Sequence, residues 1–222
     1  MKNEKKKKQE YIFLKKEGDS WFKRNVFNNS KATLKKNQYK KEIENLIKKK
    51  LSFFSNVLEI GCSSGELLNY LKHNFPKLKI YGLEPSRLAI KHNYNRNIII
   101  KHGVASEVPF KDNKFDLLIF GFCLYVCDNS SLIKILSEAD RVTKKESYIV
   151  IYDFYSNEIE HENYEHDKRI VTRKMDYSKM FLWNPFYKIY SKKLFPYQKK
   201  IKKQHKKLSN LAAVIILKKK EI

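Results

Sequence analysis

Cysteine is scarce in this chain of 222 residues, which contains only Cys62, Cys123 and Cys127. Three cysteines cannot pair completely into disulfides, and none of them forms the C-x-x-C pair that zinc ribbons use. The cysteine content therefore excludes a disulfide framework and favours a reducing compartment. We expect no metal centre.

Long apolar runs are also missing. No stretch reaches the roughly 18 apolar residues that a membrane-spanning helix requires. The lysine-rich segment Met1 to Glu10 leads into no long apolar stretch with a cleavage site, so it does not have the pattern of a signal peptide. With the cysteine content, these absences predict a cytoplasmic protein.

Acidic residues are few at both ends of the chain. Residues 1–50 hold 17 basic and 6 acidic residues, and residues 188–222 hold 12 and 1, whereas residues 51–187 are nearly balanced at 18 and 17. Only six of the 47 basic residues are arginine, which favours a codon bias toward lysine over a nucleic-acid-binding surface. Affinity for a polyanion or a membrane surface stays open as the alternative.

The apolar content of 42% predicts a globular protein. In the centre of the chain, short apolar segments alternate with segments of helical spacing, which predicts parallel βαβ units and a doubly wound sheet. The predicted strands are 56–60, 79–83, 97–100, 115–120 and 148–152, and the predicted helices begin near Glu66, Ser86 and Ser131. Two later strands, Phe186 to Phe195 and Leu211 to Leu217, follow without a crossover helix and predict an antiparallel hairpin at the sheet edge. Residues 154–184 show no clear period and predict a loop or short helices.

The first 50 residues predict a basic helical segment that precedes the main domain, residues 51–222. Residues 1–17 have the pattern of a charged helix, which we expect Gly18 and Asp19 to break. Trp21, Phe22, Val26 and Phe27 then form an aromatic cluster, and a second helix is predicted from about Lys40 to Lys50. We expect these helices to pack on the main domain.

The segment from Glu59 to Leu67 joins the first predicted strand to the following helix. Gly61 allows a tight turn there, and Gly65 allows a ligand to approach the backbone. An open α/β sheet binds its ligand at this place, beyond the carboxyl ends of the strands. Glu84 ends the next strand, where a carboxylate can accept hydrogen bonds from both hydroxyl groups of a ribose.

The loop has no Walker lysine, and its glycine spacing differs from the G-x-G-x-x-G of dinucleotide-binding folds. Glu59, two residues before the first glycine, repels a pyrophosphate but suits an ammonium group. A ribose, an ammonium group and no phosphate together indicate S-adenosylmethionine.

These motifs resemble the class I S-adenosylmethionine-dependent methyltransferases, in particular the small-molecule type, over about residues 56–153. The resemblance includes VLEIGCSSG at 57–65, GLEPS at 82–86 and VPFKDNKFDLL at 108–118. It implies a Rossmann-like, seven-stranded sheet of order 3-2-1-4-5-7-6 with the last strand antiparallel. It also implies a cofactor site formed by Glu59, Gly61, Cys62, Ser63, Gly65, Glu84, Pro85, Val104, Ala105 and Phe120.

Two positions depart from the family pattern. Ser63 stands where the central glycine of G-x-G-x-G is usual, and Val104 stands where an acidic residue is often found. Adenine recognition is therefore expected to depend on the backbone of Ala105 and on apolar contact.

The nucleophile-specific signatures of base methyltransferases are missing. Neither Asn-Pro-Pro-Tyr nor Pro-Cys follows the fourth predicted strand, which continues as Phe120-Gly121-Phe122-Cys123. Candidates for a general base are Asp153, at the end of the fifth strand, and the loop residues His161 and His166.

The segment 154–185 resembles an acceptor-pocket lid, and the predicted acceptor-contacting residues are Tyr125, Tyr177 and Trp183. A weaker resemblance to methyltransferases of bacterial sugar and polysaccharide modification favours a hydroxyl or amine of a sugar or related metabolite as acceptor. An RNA acceptor bound by the basic ends, a non-catalytic S-adenosylmethionine-binding module and, more distantly, an NAD-dependent oxidoreductase remain as alternatives.

Overall fold

The computed structural model describes residues 8–26, 33–197 and 211–220. Phe27 of the predicted aromatic cluster and the lysine run 199–207 lie outside these ranges. Nine strands are described: β1 Asn56–Ile60, β2 Lys79–Glu84, β3 Ile98–His102, β4 Phe115–Gly121, β5 Thr143–Tyr155, β6 Glu160–Asn163, β7 Val171–Lys174, β8 Tyr187–Pro196 and β9 Leu211–Lys219. The described α-helices are α1 Gln9–Ile12, α2 Gly18–Val26, α3 Thr33–Lys49, α4 Glu66–Asn74, α5 Arg87–Lys91, α6 Leu132–Val142 and α7 Lys179–Leu182.

Seven strands form one sheet in the order β3-β2-β1-β4-β5-β9-β8. The first five are parallel to one another, and β9 runs antiparallel to both β5 and β8. This arrangement confirms the predicted Rossmann-like sheet of order 3-2-1-4-5-7-6, with β8 and β9 as the sixth and seventh strands. The late hairpin is confirmed as well.

Apolar layers cover both faces of this sheet, which explains the nearly continuous apolar runs in its strands. Alternate residues of one strand belong to different layers: Leu118 and Phe120 of β4 pack in one cluster, and Leu117 and Ile119 pack in the other. Helix α6 covers the first face, whereas α3 and α4 cover the second. The carboxyl ends of β1, β2 and β4 are thereby left at one edge, free of covering helices from the main domain.

The predicted helix break at Gly18 and Asp19 is wrong. A π-helical turn, Phe13–Glu17, connects α1 directly to α2, and Gly18 has a helical φ of −54°. Glycine is needed here because a Cβ atom would lie 2.8 Å from the Phe13 carbonyl oxygen, 3.2 Å from the Ser86 nitrogen and 3.3 Å from the Pro85 carbonyl carbon. The glycine therefore permits close packing of the N-terminal helix on the turn after β2.

Asp19 joins the two segments at the same contact. One of its carboxylate oxygens accepts hydrogen bonds from the Ser86 hydroxyl at 2.6 Å and from the Leu88 backbone nitrogen at 3.0 Å. The Ser86 hydroxyl in turn caps α5 by accepting from the Ala89 nitrogen at 3.0 Å. The N-terminal helix is thus bonded to the beginning of α5.

Segment 154–184 contains more regular structure than its pattern predicts. Strands β6 and β7 pair as an antiparallel hairpin, and α7 is a single short helix. The hairpin escaped prediction because β6 is the polar, mostly exposed sequence EHEN, which lacks the apolar alternation of a half-buried strand. Strand β5 also extends beyond the predicted residues 148–152 at both ends.

Within the described part of the chain, no helix combines the length and the apolar character needed to cross a membrane.

Replacing Gly18 with alanine tests the close approach of the N-terminal helix. Alanine favours a helix by about 1 kcal/mol over glycine, yet its Cβ atom would meet only backbone atoms that cannot easily move. We expect Gly18→Ala to lower the free energy of unfolding by about 1–3 kcal/mol in chemical denaturation. Lys23→Ala, on an exposed position of the same helix, is the control. A Gly18→Ala protein as stable as the original would contradict this packing.

Candidate cofactor and acceptor site

The loop after β1 turns sharply through left-handed backbone conformations. Gly61, Ser63 and Gly65 have φ values of +77°, +51° and +78°. At Gly61 a Cβ atom would also lie 2.7 Å from the Cys123 Cβ atom, so glycine is required there for two reasons. Ser63 adopts the same conformation with a side chain, at the position where the family pattern has glycine.

Glu84, at the end of β2, is hydrogen-bonded to the backbone of this loop. Its Oε2 atom accepts a hydrogen bond from the Ser63 backbone nitrogen at 2.8 Å, and its Oε1 atom accepts from the Ser86 nitrogen at 2.9 Å. The side chain is 7% exposed, and desolvation raises the pKa of Glu84 to about 7 despite these two bonds. Each oxygen retains a lone pair for a further donor.

A first cavity opens at the carboxyl ends of β1, β2 and β4. The N-terminal helix contributes Glu10, Phe13, Gly18 and Trp21 to its wall. The other lining residues are Ile60, Gly61, Ser63, Leu83, Glu84, Pro85, Gly103, Val104, Ala105, Gly121, Phe122, Cys123, Tyr125, Val126 and Cys127.

The chemistry of this wall fits a phosphate-free ligand. Two carboxylates, those of Glu10 and Glu84, face the first cavity, and none of the described residues that line it is lysine, arginine or histidine. A pyrophosphate there would meet like charge without a compensating cation. S-Adenosylmethionine fits, because it offers hydroxyl, amine and sulfonium groups and no phosphate.

A second cavity adjoins the first and shares with it Trp21, Gly61, Ser63, Gly121 and Phe122. Its further walls come from α2, α3, the end of β1 and the loop after it, the start of α4, and the ends of β5 and β8, and four of these lining residues are aromatic. They include Phe22, Tyr39, Tyr152 and Tyr197, together with Lys40, Glu59, Cys62 and Glu66. The common wall means that one elongated ligand can extend from the first cavity into the second.

Glu59 lies in the wall of the second cavity and is buried. Its Oε1 atom accepts a hydrogen bond from the Tyr39 hydroxyl at 3.3 Å, and the Tyr39 ring stacks on Tyr152 at 4.3 Å between centroids. Gly121 makes room for this carboxylate, because a Cβ atom there would lie 2.6 Å from Glu59 Oε1. Burial and the Glu59 charge raise the pKa of Tyr39 well above its ordinary value, so the phenol stays protonated.

The structure brings most of the predicted cofactor residues together. The first cavity is lined by Gly61, Ser63, Glu84, Pro85, Val104 and Ala105, and the second is lined by Glu59 and Cys62. Gly65 and Phe120 line neither one. Gly65 acts on the loop through its backbone conformation, whereas the Phe120 ring points into the core and contacts Phe181.

The three predicted acceptor residues are not brought to one place. Tyr125 lines the first cavity. Tyr177 is fully buried in the core, where its hydroxyl donates to the Arg173 carbonyl oxygen at 2.8 Å. Trp183 is 76% exposed after the short helix α7 and reaches neither cavity.

Asp153 lies behind the site and faces neither cavity. Its Oδ2 atom accepts from the Leu124 and Tyr125 nitrogens at 2.8 and 3.3 Å, and its Oδ1 atom accepts from the Phe154 nitrogen at 2.8 Å. Burial raises the pKa of Asp153 to about 7. The carboxylate thus holds the turn after β4 in place, which is a positioning role.

The two candidate histidines are on the outside of the molecule. His161 is exposed on β6, and His166 is exposed beside Tyr164. Neither lines the first or the second cavity. His161 lies on β6, the mostly exposed strand of the hairpin, whereas β7 is the strand that packs beside the turn after β4.

The cysteines at the site are packed, protonated thiols. The Cys123 thiol donates to the Ile60 carbonyl oxygen at 3.4 Å, and the Cys127 thiol donates to the Cys123 carbonyl oxygen at 3.3 Å. Burial raises the pKa of both thiols well above the ordinary value. Among the described residues, no three histidine, cysteine, aspartate or glutamate side chains gather as a metal site would require.

The N-terminal residues in the cavity wall, among them Glu10, Phe13 and Trp21, were missed by the sequence reasoning. The sequence carried one signal for them, a lone glycine within a helical pattern. We interpreted Gly18 as a break, whereas an interior glycine also marks a place where another backbone packs closely.

The fold is the Rossmann-like fold of methyltransferases, and the chemistry of the two cavities fits S-adenosylmethionine. Residues 58–151 match the family model described as a methyltransferase domain. The chain therefore contains a methyltransferase domain, and the loop after β1 and the acidic end of β2 lie within it.

Two solved structures have the same fold at low sequence identity. The 1,6-didemethyltoxoflavin-N1-methyltransferase of Burkholderia thailandensis, solved with 1,6-didemethyltoxoflavin and S-adenosylhomocysteine, is 12% identical, with a TM-score of 0.70 over 95% of this chain and 89% of that one. An S-adenosylmethionine-dependent methyltransferase of Methanosarcina mazei is 16% identical, with a TM-score of 0.59 over 77% and 94% of the two chains. None of the curated proteins compared with this chain matches it significantly.

Replacing Glu84 with alanine should weaken cofactor binding. A buried ribose would lose two hydrogen bonds to a carboxylate, together about 2–4 kcal/mol. We expect the affinity for S-adenosylhomocysteine, measured by isothermal titration calorimetry, to fall accordingly. Glu107→Ala, on an exposed side chain close to Val104, is the control. Unchanged affinity in Glu84→Ala would show that the ribose lies elsewhere.

Cofactor affinity should also depend on pH. Because the pKa of Glu84 is raised to about 7, the carboxylate is partly protonated at neutral pH and must lose its proton to accept from two hydroxyl groups. Affinity for S-adenosylhomocysteine should therefore rise with pH, by about tenfold between pH 6 and pH 8. Glu84→Gln should flatten this profile, whereas Asp153→Asn should not. A steep profile that persists in Glu84→Gln would assign the titration to another group.

Proposed function

We propose that this methyltransferase transfers the methyl group to a hydroxyl or amine of a small metabolite, with a sugar or a related ring compound as the first candidate. The observation that carries the proposal is the second cavity, which adjoins the first cavity and has six aromatic residues in its wall, beside polar ones. Aromatic faces pack against the apolar faces of ring compounds and exclude water from them.

The charge of the second cavity also supports a small acceptor over RNA. Lys40 is the one basic side chain among the described residues that line it, and its Nζ atom pairs with Glu66 at 3.2 Å. A groove for RNA would offer several unpaired cations to the phosphates. The two basic ends of the chain do contribute to this cavity, through α2, α3 and Tyr197, but Lys40 is the one basic side chain that they place in its described wall.

Bound S-adenosylmethionine supplies a methyl group that its sulfonium charge has already activated. What the chain contributes is alignment and the exclusion of water. The stacked pair Tyr39–Tyr152 and the Phe122 ring, 5.0 Å from Tyr152, fix one wall of the acceptor space. Asp153 supports that wall by holding the backbone of the turn that carries Tyr125.

The tyrosines in this wall do not remove a proton from the acceptor. The pKa values of Tyr39 and Tyr152 are raised by burial, so neither phenol is a base at neutral pH. Glu59 is the buried carboxylate at the second cavity, and we assign it to the ammonium group of the cofactor. An amine acceptor, which can enter as the free base, suits such a site as well as a hydroxyl does.

The acceptor space can be tested with Tyr152→Ala. We expect methyl transfer from labelled S-adenosylmethionine to small molecules of a cell extract to fall by about tenfold to a hundredfold, because the acceptor loses its alignment. Affinity for S-adenosylhomocysteine should fall by less than methyl transfer does, since Tyr152 lines the second cavity alone, which would hold only the ammonium end of that ligand. Tyr190→Ala, a half-exposed tyrosine on β8, is the control.

The same assay separates the alternatives. Label in purified RNA, with binding that weakens steeply as salt rises, would overturn the proposal in favour of an RNA acceptor. Cofactor binding without any labelled product would favour a non-catalytic module. Binding of NAD in place of S-adenosylhomocysteine would overturn the cofactor assignment as well.

A further inference from the structure

Glu10 is a buried acidic residue whose carboxylate has no hydrogen-bond partner among the described residues. It lies in α1 and is 8% exposed, and neither Oε1 nor Oε2 accepts a hydrogen bond. Burial of an unpaired carboxylate is costly, and no hydrogen bond within the described part of the chain offsets that cost.

The carboxylate belongs to the wall of the first cavity. Gln9, the preceding residue, fixes the orientation of α1: its Nε2 atom donates to the Val126 carbonyl oxygen at 2.8 Å, and its Oε1 atom accepts from the Val171 nitrogen at 2.8 Å. Glu10 lines the first cavity along with Val126 and Cys127.

Arg173 does not neutralise this carboxylate directly. Burial and, after it, the charge of Glu10 raise the pKa of the Cys127 thiol, whereas the charge of Arg173 lowers that pKa. Glu10 and Arg173 therefore both lie near Cys127. The Arg173 Nη1 atom donates to the Cys127 carbonyl oxygen at 3.2 Å, and no ion pair joins Arg173 to Glu10 within the described residues. The Glu10 oxygens therefore remain available to a donor in the cavity.

The cofactor offers three kinds of N–H or O–H donor: the ribose hydroxyls, the ammonium group and the exocyclic amine of adenine. Glu84 suits the ribose, and Glu59 suits the ammonium group from the second cavity. Of the segment predicted to hold adenine, Val104 to Ser106, only Val104 and Ala105 line the first cavity, and neither has a polar side chain. Cys127 packs in the same apolar cluster as Ala105. The carboxylate of Glu10, the third one at the two cavities, lies beside that cluster.

We infer that Glu10, from the N-terminal helix, accepts a hydrogen bond from the exocyclic amine of adenine and so selects adenine in the cofactor cavity. The inference rests on the S-adenosylmethionine assignment and is independent of the acceptor. It makes the N-terminal segment part of the cofactor site.

The test compares two ligands by isothermal titration calorimetry: S-adenosylhomocysteine and its analogue in which purine, lacking the amine, replaces adenine. The original protein should bind the adenine ligand about tenfold to a hundredfold more tightly, the range expected for a hydrogen bond to a charged group. Glu10→Leu should abolish this preference by weakening the adenine ligand alone. Glu10→Gln should retain part of it, because the amide oxygen still accepts.

Glu17→Leu is the matched control, since Glu17 is equally buried in the same N-terminal segment but is bonded to Arg24 and Tyr164. It should keep the preference for adenine and lower the melting temperature of the ligand-free protein. Glu10→Leu should leave that melting temperature unchanged or raise it, because no bond is lost.

The inference is overturned if Glu10→Leu keeps the preference, weakens both ligands equally, or unfolds the ligand-free protein. It is also overturned if the original protein binds both ligands equally well, and in that case the cofactor site itself stands. If the original protein binds neither ligand, the cofactor assignment fails along with it.

Discussion

The docking of the N-terminal helix on the turn after β2 is the contact on which both cavities depend. A chain of hydrogen bonds runs from Asp19 to Ser86, from Ser86 to Glu84 and from Glu84 to the Ser63 nitrogen. It joins the covering helix, the second strand and the loop after the first strand into one unit. Because Gly18 lets the two backbones approach closely, the helix lies near enough for its residues to form walls of the cofactor cavity.

The charges of the site are unusual for a chain with a net charge of +23. The carboxylates of Glu10, Glu59 and Glu84 are all buried around the two cavities, and the single lysine there is paired with Glu66. Buried carboxylates weaken the folded state when no ligand is bound. They favour a ligand that carries donors and positive charge, so the site gains selectivity against phosphate-bearing nucleotides at some cost in stability.

The central sheet was predictable because its signals are local. Each buried strand is a short apolar run, and each crossover helix repeats its apolar residues at helical spacing. Glu84 was predictable for the same reason, since it directly ends a strand. The order of the strands followed from the family resemblance. The β6–β7 hairpin was missed because a polar, exposed strand has no such pattern, and the acceptor residues Tyr177 and Trp183 were placed by resemblance rather than by spacing.

The sequence by itself determined the strands of the sheet, the loop from Glu59 to Gly65 and the acidic strand end, because the residues that form each of them are neighbours along the chain. The strand order was implied by the resemblance to a known family. Only the tertiary structure decided which distant residues share a cavity. Glu10 and the loop after β3 line the same cavity because the N-terminal helix packs beside it, and the Asp153 carboxylate accepts hydrogen bonds from three backbone nitrogens instead of facing a cavity. Such partners are set by the path of the folded backbone, which brings together residues that local periodicity does not relate.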